Sequence, residues 1–270
     1  MQNFRFTLWQ IVGVVLAMPA AAQAANLVYL EEMTSAEVSV ALRGGTTTVI
    51  IPVGGTEQNG LHMVLGKHNT RAKVLAGQVA QRLGDALVAP VVSYVPEGNV
   101  SPPTEHMRFA GTISIPEPVF RATLEAAARS FKQHGFKDIV LLGDSGNYQT
   151  SLKVVANTLN RDWGGSPVRA HFLPAYYQTT QTDYAAALKA RGLTDTQIGT
   201  HAGTADTSLA MAVDPALVHV DRLEKSAQLG AAVGTKGDPR PSSVALGKLG
   251  IDAILNATVN AVRAAVAQPR

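Results

Sequence analysis

Apolar positions along the chain recur in two alternating ways. Short continuous runs such as "TTTVIIPV" (46–53) and the apolar part of "KDIVLLGDSGN" (137–147) read as strands buried on both faces. Between them, apolar residues return at helical spacing. In "RAKVLAGQVAQRLG" (71–84), Val74, Leu75, Val79 and Leu83 form one stripe, and Asn69 or Thr70 can cap the helix. Over 117–134 the stripe is Val119, Leu124, Ala127, Ala128 and Phe131, closed by Gly135. The same patterning predicts a short helix over "AEVSVALRGG" capped by Ser35, and strands over "DALVAPVVSYV" (85–95), "TISIP" (112–116) and 168–173. It predicts further helices over 149–161 and 182–191, from Asp206, and within Ser243–Ala267. Strands alternating with helices of this length imply parallel βαβ units. The expected fold class is α/β: a single domain in α/β/α layers, with a mostly parallel sheet covered on both faces. Such folds place their sites outside the carboxyl ends of the strands.

The first 24 residues break this pattern. Arg5 is their only charge, an apolar stretch runs from Leu8 to about Met18, and Ala22-Gln23-Ala24 fits a small-x-small cleavage rule. A signal peptide over 1–24 is expected, with 25–270 as the mature domain, exported to the periplasm or secreted. The apolar stretch is short for a span of about 20 residues, so no stable membrane span is expected after cleavage. Cysteine is absent, which removes disulfide and thiolate chemistry. The composition, 46% hydrophobic and 16% charged, excludes a disordered chain. The net charge of +3 is spread without a Lys/Arg cluster, which argues against a nucleic-acid partner.

Candidate chemistry collects after the strands. "PVGGTEQNGLHMVLGKHNT" (52–70) leaves a core strand and carries Glu57, Gln58, Asn59, His62 and His68 among glycines. A carboxylate and an imidazole on such a loop suit zinc or manganese, though by spacing alone Glu57 is equally a cap and His68 an ordinary loop histidine. "LLGDSGNYQT" (141–150) offers Asp144 and Ser145, for which helix capping is the plain reading. A nucleophilic serine would require G-x-S-x-G, and Asn147 stands at the last position. "GTHAGTADTS" (199–208) places His201 on a glycine-flanked loop suited to general acid–base work, with Asp206 near a helix start. "PPTEHMRFAGTISIP" (102–116) adds Glu105 and His106 on a proline-stiffened loop that can wall a pocket.

Taken in order, these segments resemble the creatininase (creatinine amidohydrolase) family from about Leu30 to Leu223. The family's opening Gly-Ser/Thr-x-Glu-Gln-His-Gly-x-His-Leu-x-Leu-Gly-x-Asp pattern stands here as "VGGTEQNGLHMVLGKH". Its H-x-x-F-x-G-T-I segment stands as "HMRFAGTISI", its His-Gly helix-to-strand passage as "HGFKDIVLL", and its His-Ala-Gly motif as "HAGTADTS". The resemblance implies a layered α/β/α hydrolase, often hexameric, whose divalent ions polarise an amide carbonyl and activate water. The motif glutamate is Glu57, but its histidine is replaced by Asn59 and its aspartate by His68. Ser145 falls on a motif histidine, with Asp144 one residue before it. The last motif keeps His201 and shortens a glutamate to Asp206.

The expected metal set is therefore Glu57, His68 and Asp144, holding one ion firmly, zinc before manganese, with Asn59 weakening the case for a second. His201 is expected to shuttle a proton, with Asp206 either orienting it or completing the metal shell. Asn59, Ser145, Asn147, Gln149 and His106 are the expected substrate contacts. The implied activity is hydrolysis of a C–N bond in a small, cyclic amide other than a peptide, by a homo-oligomer. The competing expectation is an exported, non-catalytic small-molecule-binding protein on the same fold.

Overall fold

In the computed structural model, residues 27–269 are described. The expected signal peptide, 1–24, lies outside them. Four parallel strands form one sheet: β1 (Thr48–Val53), β2 (Ala86–Val88), β3 (Asp138–Gly143) and β4 (Arg169–Phe172), in the order β2-β1-β3-β4. β1 and β3 pair along their whole lengths, from Thr48 with Asp138 to Val53 with Gly143, and both are buried throughout. Their continuous apolar runs follow from that position, since a central parallel strand has no solvent face.

Side chains alternate between the two faces, as strand geometry requires. Val49, Ile51 and Val53 of β1 and Ile139 and Leu141 of β3 pack on one side against α3 (Glu117–His134) and α4 (Gln149–Asp162). Ile50, Val140 and Leu142 point the other way. They meet α2 (Lys67–Leu83), the pair α5 (Ala175–Gln181) and α6 (Asp183–Lys189), and α10 (Val244–Val266). α10 is long and apolar enough to cross a membrane, yet it packs as a core helix against α8 (Thr204–Val213) and α5. Gly247 permits that approach: a Cβ there would collide with the Ser208 carbonyl. The short α1 (Ser35–Arg43), α7 (Asp195–Ile198) and α9 (Leu223–Leu229) complete the set. The layered α/β/α expectation is met.

Several local expectations are corrected. "TISIP" forms no strand: Ile113 and Ile115 each donate one backbone bond, to Thr56 and Val95, and Ser114 turns its hydroxyl to Gly98. Strand-like composition fails there because no ladder forms alongside it. β2 spans three residues of the expected 85–95, with Pro90 just beyond them and only an isolated bridge from Val92 to Val53. α1 is capped by Thr34 rather than Ser35, in a reciprocal box with Glu37. The helix expected over 182–191 is met by α6, and a further short helix, α5, precedes it across Thr182. α2 begins at Lys67, before the expected caps Asn69 and Thr70, and this has consequences for the site.

Candidate functional site

Three chain segments converge at the carboxyl ends of β1 and β3. After β1 the chain passes Gly54 and Gly55. Gly55 has a φ of 147°, and a Cβ there would sit 2.7 Å from a Glu97 carboxyl oxygen. Asn69 Oδ1 accepts the Gly55 N–H at 2.9 Å, tying the loop to the first turn of α2. Asn59, fully buried, donates Nδ2 to the carbonyls of Glu57 (2.8 Å) and Val64 (3.1 Å). The Glu57 N–H reaches the Leu65 carbonyl. Glu57 is thus held by its backbone before its carboxylate meets any partner. Asp144 follows β3, and its N–H donates to Val53. Asp206 lies in the first turn of α8, where it accepts the Ala202 N–H at 3.1 Å.

The carboxylates and basic groups form two unlike halves. One is a closed chain of ion pairs. His68 Nδ1 lies 2.5 Å from Asp144 Oδ2 and its Nε2 2.8 Å from Glu57 Oε1. Arg71 Nε reaches both Asp144 oxygens at 3.0 and 2.9 Å, and Nη1 donates to Asp206 Oδ1 at 2.8 Å. Tyr176 donates to Asp144 Oδ1 at 2.8 Å. Lys67 pairs closely with Asp206 and stands 3.8 Å from Glu57 Oε1. Burial and Lys67 press the His68 imidazolium downward, but Glu57 and Asp144 outweigh them and its pKa is raised. Burial pushes Asp206 up, and Lys67 and Arg71 overcome it, leaving Asp206 well below the carboxylate range.

The other half is open. Glu57, His106 and His201 each present a ligand atom, all within 4.8 Å of one another. His106 Nε2 is 3.3 Å from Glu57 Oε2, and His201 Nδ1 is 3.7 Å from Glu57 Oε1. Glu57 Oε2 is buried and has no hydrogen-bond partner. His201 Nε2 lies 2.9 Å from the Gln58 backbone carbonyl. A carbonyl only accepts, so that nitrogen carries the hydrogen and Nδ1 keeps its lone pair towards Glu57. This is the usual outer arrangement of a metal-bound histidine. Burial lowers His106 and takes His201 down to about 4, so both rings are neutral near pH 7. Burial also raises Glu57, but His68, Lys67 and His201 more than reverse it and its carboxylate stays ionised. One carboxylate and two neutral imidazoles fit a single zinc or manganese ion.

A cleft of about 420 Å³ opens onto both halves. Its wall includes Glu57, His68, His106, Asp144, Ser145, Asn147, His201 and Asp206, and among the remainder are Lys67, Arg71, Tyr177 and Lys236. The structure therefore gathers Glu57, His68 and Asp144 as expected, but as a hydrogen-bonded chain with Arg71. It places His106 and His201, expected as substrate contact and proton shuttle, at the open donor corner. Asn59 and Gln149 do not line the cleft. Gln149 Nε2 instead braces the turn after β3, donating to the carbonyls of Gly143 and Ser145. Ser145 Oγ accepts the Asn147 N–H at 3.4 Å, as a turn cap does. His62 is buried between Ser226 (2.8 Å) and Thr207 (2.9 Å), and burial lowers it to about 4.

Three contributors were not expected. Lys67 and Arg71 flank His68 in sequence and were available as an i, i+4 pair once the helix start is set at Lys67. Glu97 is buried, receives Asn147 Nδ2 at 2.7 Å, and contacts the Glu57 carboxylate. Burial, then the charge of Glu57, raises it to about 8, so it is a neutral acid at pH 7.

The profile described as Creatininase, creatinine amidohydrolase, matches residues 31–262. A mycofactocin precursor peptide peptidase of Mycolicibacterium smegmatis is 32% identical over 141 residues, covering 50% of this chain and 55% of that protein. The chain thus spans about half the length of that relative. Creatinine amidohydrolase of Pseudomonas putida is 28% identical over 202 residues, 73% of this chain and 75% of that one. Among solved structures, a mutant creatininase of Zn-Zn type superposes with a TM-score of 0.72 at 22% identity, covering 89% of this chain and 99% of the other.

Proposed function

The chain belongs to the creatininase family, and from that premise we propose that it is a metal-dependent hydrolase of an amide C–N bond in a small polar substrate. The observation that carries this reading is the open corner of Glu57, His106 and His201, whose ligand atoms all lie within 4.8 Å of one another around a buried Glu57 carboxylate. A divalent ion at that corner would polarise the carbonyl and lower the pKa of a bound water. The chain's own residues do the rest. The Gln58 carbonyl fixes the His201 tautomer, and the Gln58 amide lies 3.1 Å from His106 Nδ1. His68 holds Glu57 in place at 2.8 Å and is itself braced by Asp144. His68, Asp144 and Asp206 are positioning residues in this reading. Asn147, Tyr177 and Lys236 line the cleft and are placed to orient a substrate.

The cleft's size and its charged wall support a small, polar amide. Creatinine amidohydrolase and a peptide peptidase both stand among the relatives, so a ring amide and a short peptide terminus are the two substrate classes to separate. Zinc- and manganese-loaded protein assayed against cyclic ureas, lactams and short peptides tests the proposal. Turnover that a chelator abolishes and the metal restores is expected. Chelator-insensitive turnover would contradict it.

The second reading, a binding protein without catalysis, draws on the ion pairs that neutralise Asp144 and Asp206 within the chain. Metal content separates the two: a protein that takes up no zinc favours the binder. We also infer export from residues 1–24, which amino-terminal sequencing of periplasmic protein tests by a start near Ala25.

A further inference from the structure

The buried ion pairs present an energetic puzzle. Taking charged groups out of water is costly, and well-packed apolar side chains of similar volume often do as well or better. Stability alone is thus a poor reason for Lys67 and Arg71. Both are nearly inaccessible, with side-chain exposures of 1% and 6%, yet both lie on the wall of the cleft. They stand one turn apart on α2, on the face turned to the carboxylates. Between them they engage three carboxylates: Lys67 takes Asp206 and one edge of Glu57, and Arg71 takes Asp144 and Asp206. His68 has both ring nitrogens occupied by carboxylates.

Any second divalent ion beside Glu57 would need oxygen or nitrogen donors from this half. The donors nearest to Glu57 there already hold cations or hydrogens supplied by the chain. The other acidic group in contact with Glu57, Glu97, lies outside the cleft wall; its Oε2 accepts from Asn147 and its Oε1 is buried without a partner. One side of Glu57 therefore faces open donors, and the other faces an ammonium at 3.8 Å.

We propose that Lys67 is a chain-borne substitute for a second metal ion: the site takes one divalent cation, at Glu57, His106 and His201, and the Lys67 ammonium supplies the other positive charge. The inference rests on the ligand set put forward under Proposed function. It makes Lys67 an electrostatic element of the centre rather than a structural ion pair. It follows that the ion binds against the repulsion of a fixed charge a few ångströms away.

The test is a zinc titration of the metal-stripped full chain. Native mass spectrometry gives the stoichiometry, and competition with a chromogenic chelator gives the affinity. The wild type should saturate at one ion. Lys67→Gln should bind that ion about tenfold tighter or more, because a like charge has been removed within a buried site. Lys67→Arg, which keeps the charge, should stay close to wild type. A purely structural Lys67 would behave otherwise, its loss weakening the site along with the fold. Saturation of the wild type at two ions overturns the proposal while leaving the hydrolase reading standing, and it does so even if Lys67→Gln does not fold. A folded Lys67→Gln that binds zinc no tighter than wild type overturns it as well. A wild type that binds no zinc overturns the ligand set itself, and this inference with it.

Discussion

The two halves of the cleft hold similar residues in opposite states. At the corner of Glu57, His106 and His201, three ligand atoms face one another within 4.8 Å. A few ångströms away, His68, Asp144, Arg71, Asp206 and Lys67 are bonded into a closed chain. The histidines record the difference. His201 is lowered to about 4 because burial and the charge of Lys67 outweigh the pull of Glu57 and Asp206. His68, more deeply buried, is raised because two carboxylates grip it. A histidine among acids is thus not a ligand by default. What matters is whether a lone pair is left over, and only the first half leaves one.

The largest effect that can break this comparison belongs to Glu57, which serves both halves. Glu57→Ala should abolish zinc binding and turnover, read by metal analysis and assay, and should destabilise the fold by leaving Lys67 and His68 short of a partner. Retained zinc would refute the open corner. His201→Ala should remove most of the metal while the fold survives, since one neutral ring is lost from a partly open site.

Asp144→Asn should do the reverse. It leaves Arg71 poorly compensated, which costs about 3–5 kcal/mol when one member of a buried pair goes, while zinc affinity falls by no more than the roughly 10–100-fold typical of an outer partner. Chemical denaturation and zinc competition measure the two numbers. Complete loss of zinc with the fold intact would move Asp144 into the ligand set.

The comparison also sets a pH dependence for the metal-free protein. His62 and His201 sit at about 4 in the fold against 6.5 in the unfolded chain. Between those values the unfolded chain binds more protons, so stability falls as pH drops from about 6.5 towards 4. Glu97 works in the opposite sense. Its raised value, about 8 against 4.5, costs stability as pH climbs between them, and His68 adds a loss above 6.5. With three lowered histidines, His106 included, against one acid below 6.5, and opposing groups above it, melting temperature should peak near pH 6.5. A calorimetric series on chelator-treated protein reads this, and His62→Gln should flatten the acid limb. A melting temperature that rises steadily from pH 6.5 to 8 would contradict the environment described for Glu97 and His68.

The smallest expected effect is that of Ser145→Ala. It removes a cap bond to the Asn147 N–H, worth about 0.5–1.5 kcal/mol. Turnover should be close to wild type, whereas a dead enzyme would revive a serine nucleophile.

The layered fold was legible because period and length carry it: β1 and β3 are continuous apolar runs, and α2, α3 and α4 have clear stripes. The convergence of Glu57 and Asp144 was legible for the same reason, since both lie just past strands that pair side by side, and His68 follows on the helix that the same loop leads into. "TISIP" was misread because propensity does not say whether a ladder will form. The roles within the site were harder. Placing the start of α2 at Asn69 or Thr70 left Lys67 in a loop, while a start at Lys67 puts Lys67, His68 and Arg71 on one helical turn beside the carboxylates. Glu97 had no periodic context at all. Its meaning comes from contact with Glu57 and from the room that Gly55 leaves for its carboxyl, which are tertiary facts.

The central claim is the identity of the three ligands. Anomalous diffraction at the zinc edge, from crystals of the zinc-loaded full chain, tests it most directly. The account predicts one peak, with Glu57, His106 and His201 each about 2.0–2.2 Å from it and the Lys67 ammonium outside its coordination shell. A peak ligated by His68 and Asp144, with Arg71 displaced from Asp144, would contradict it.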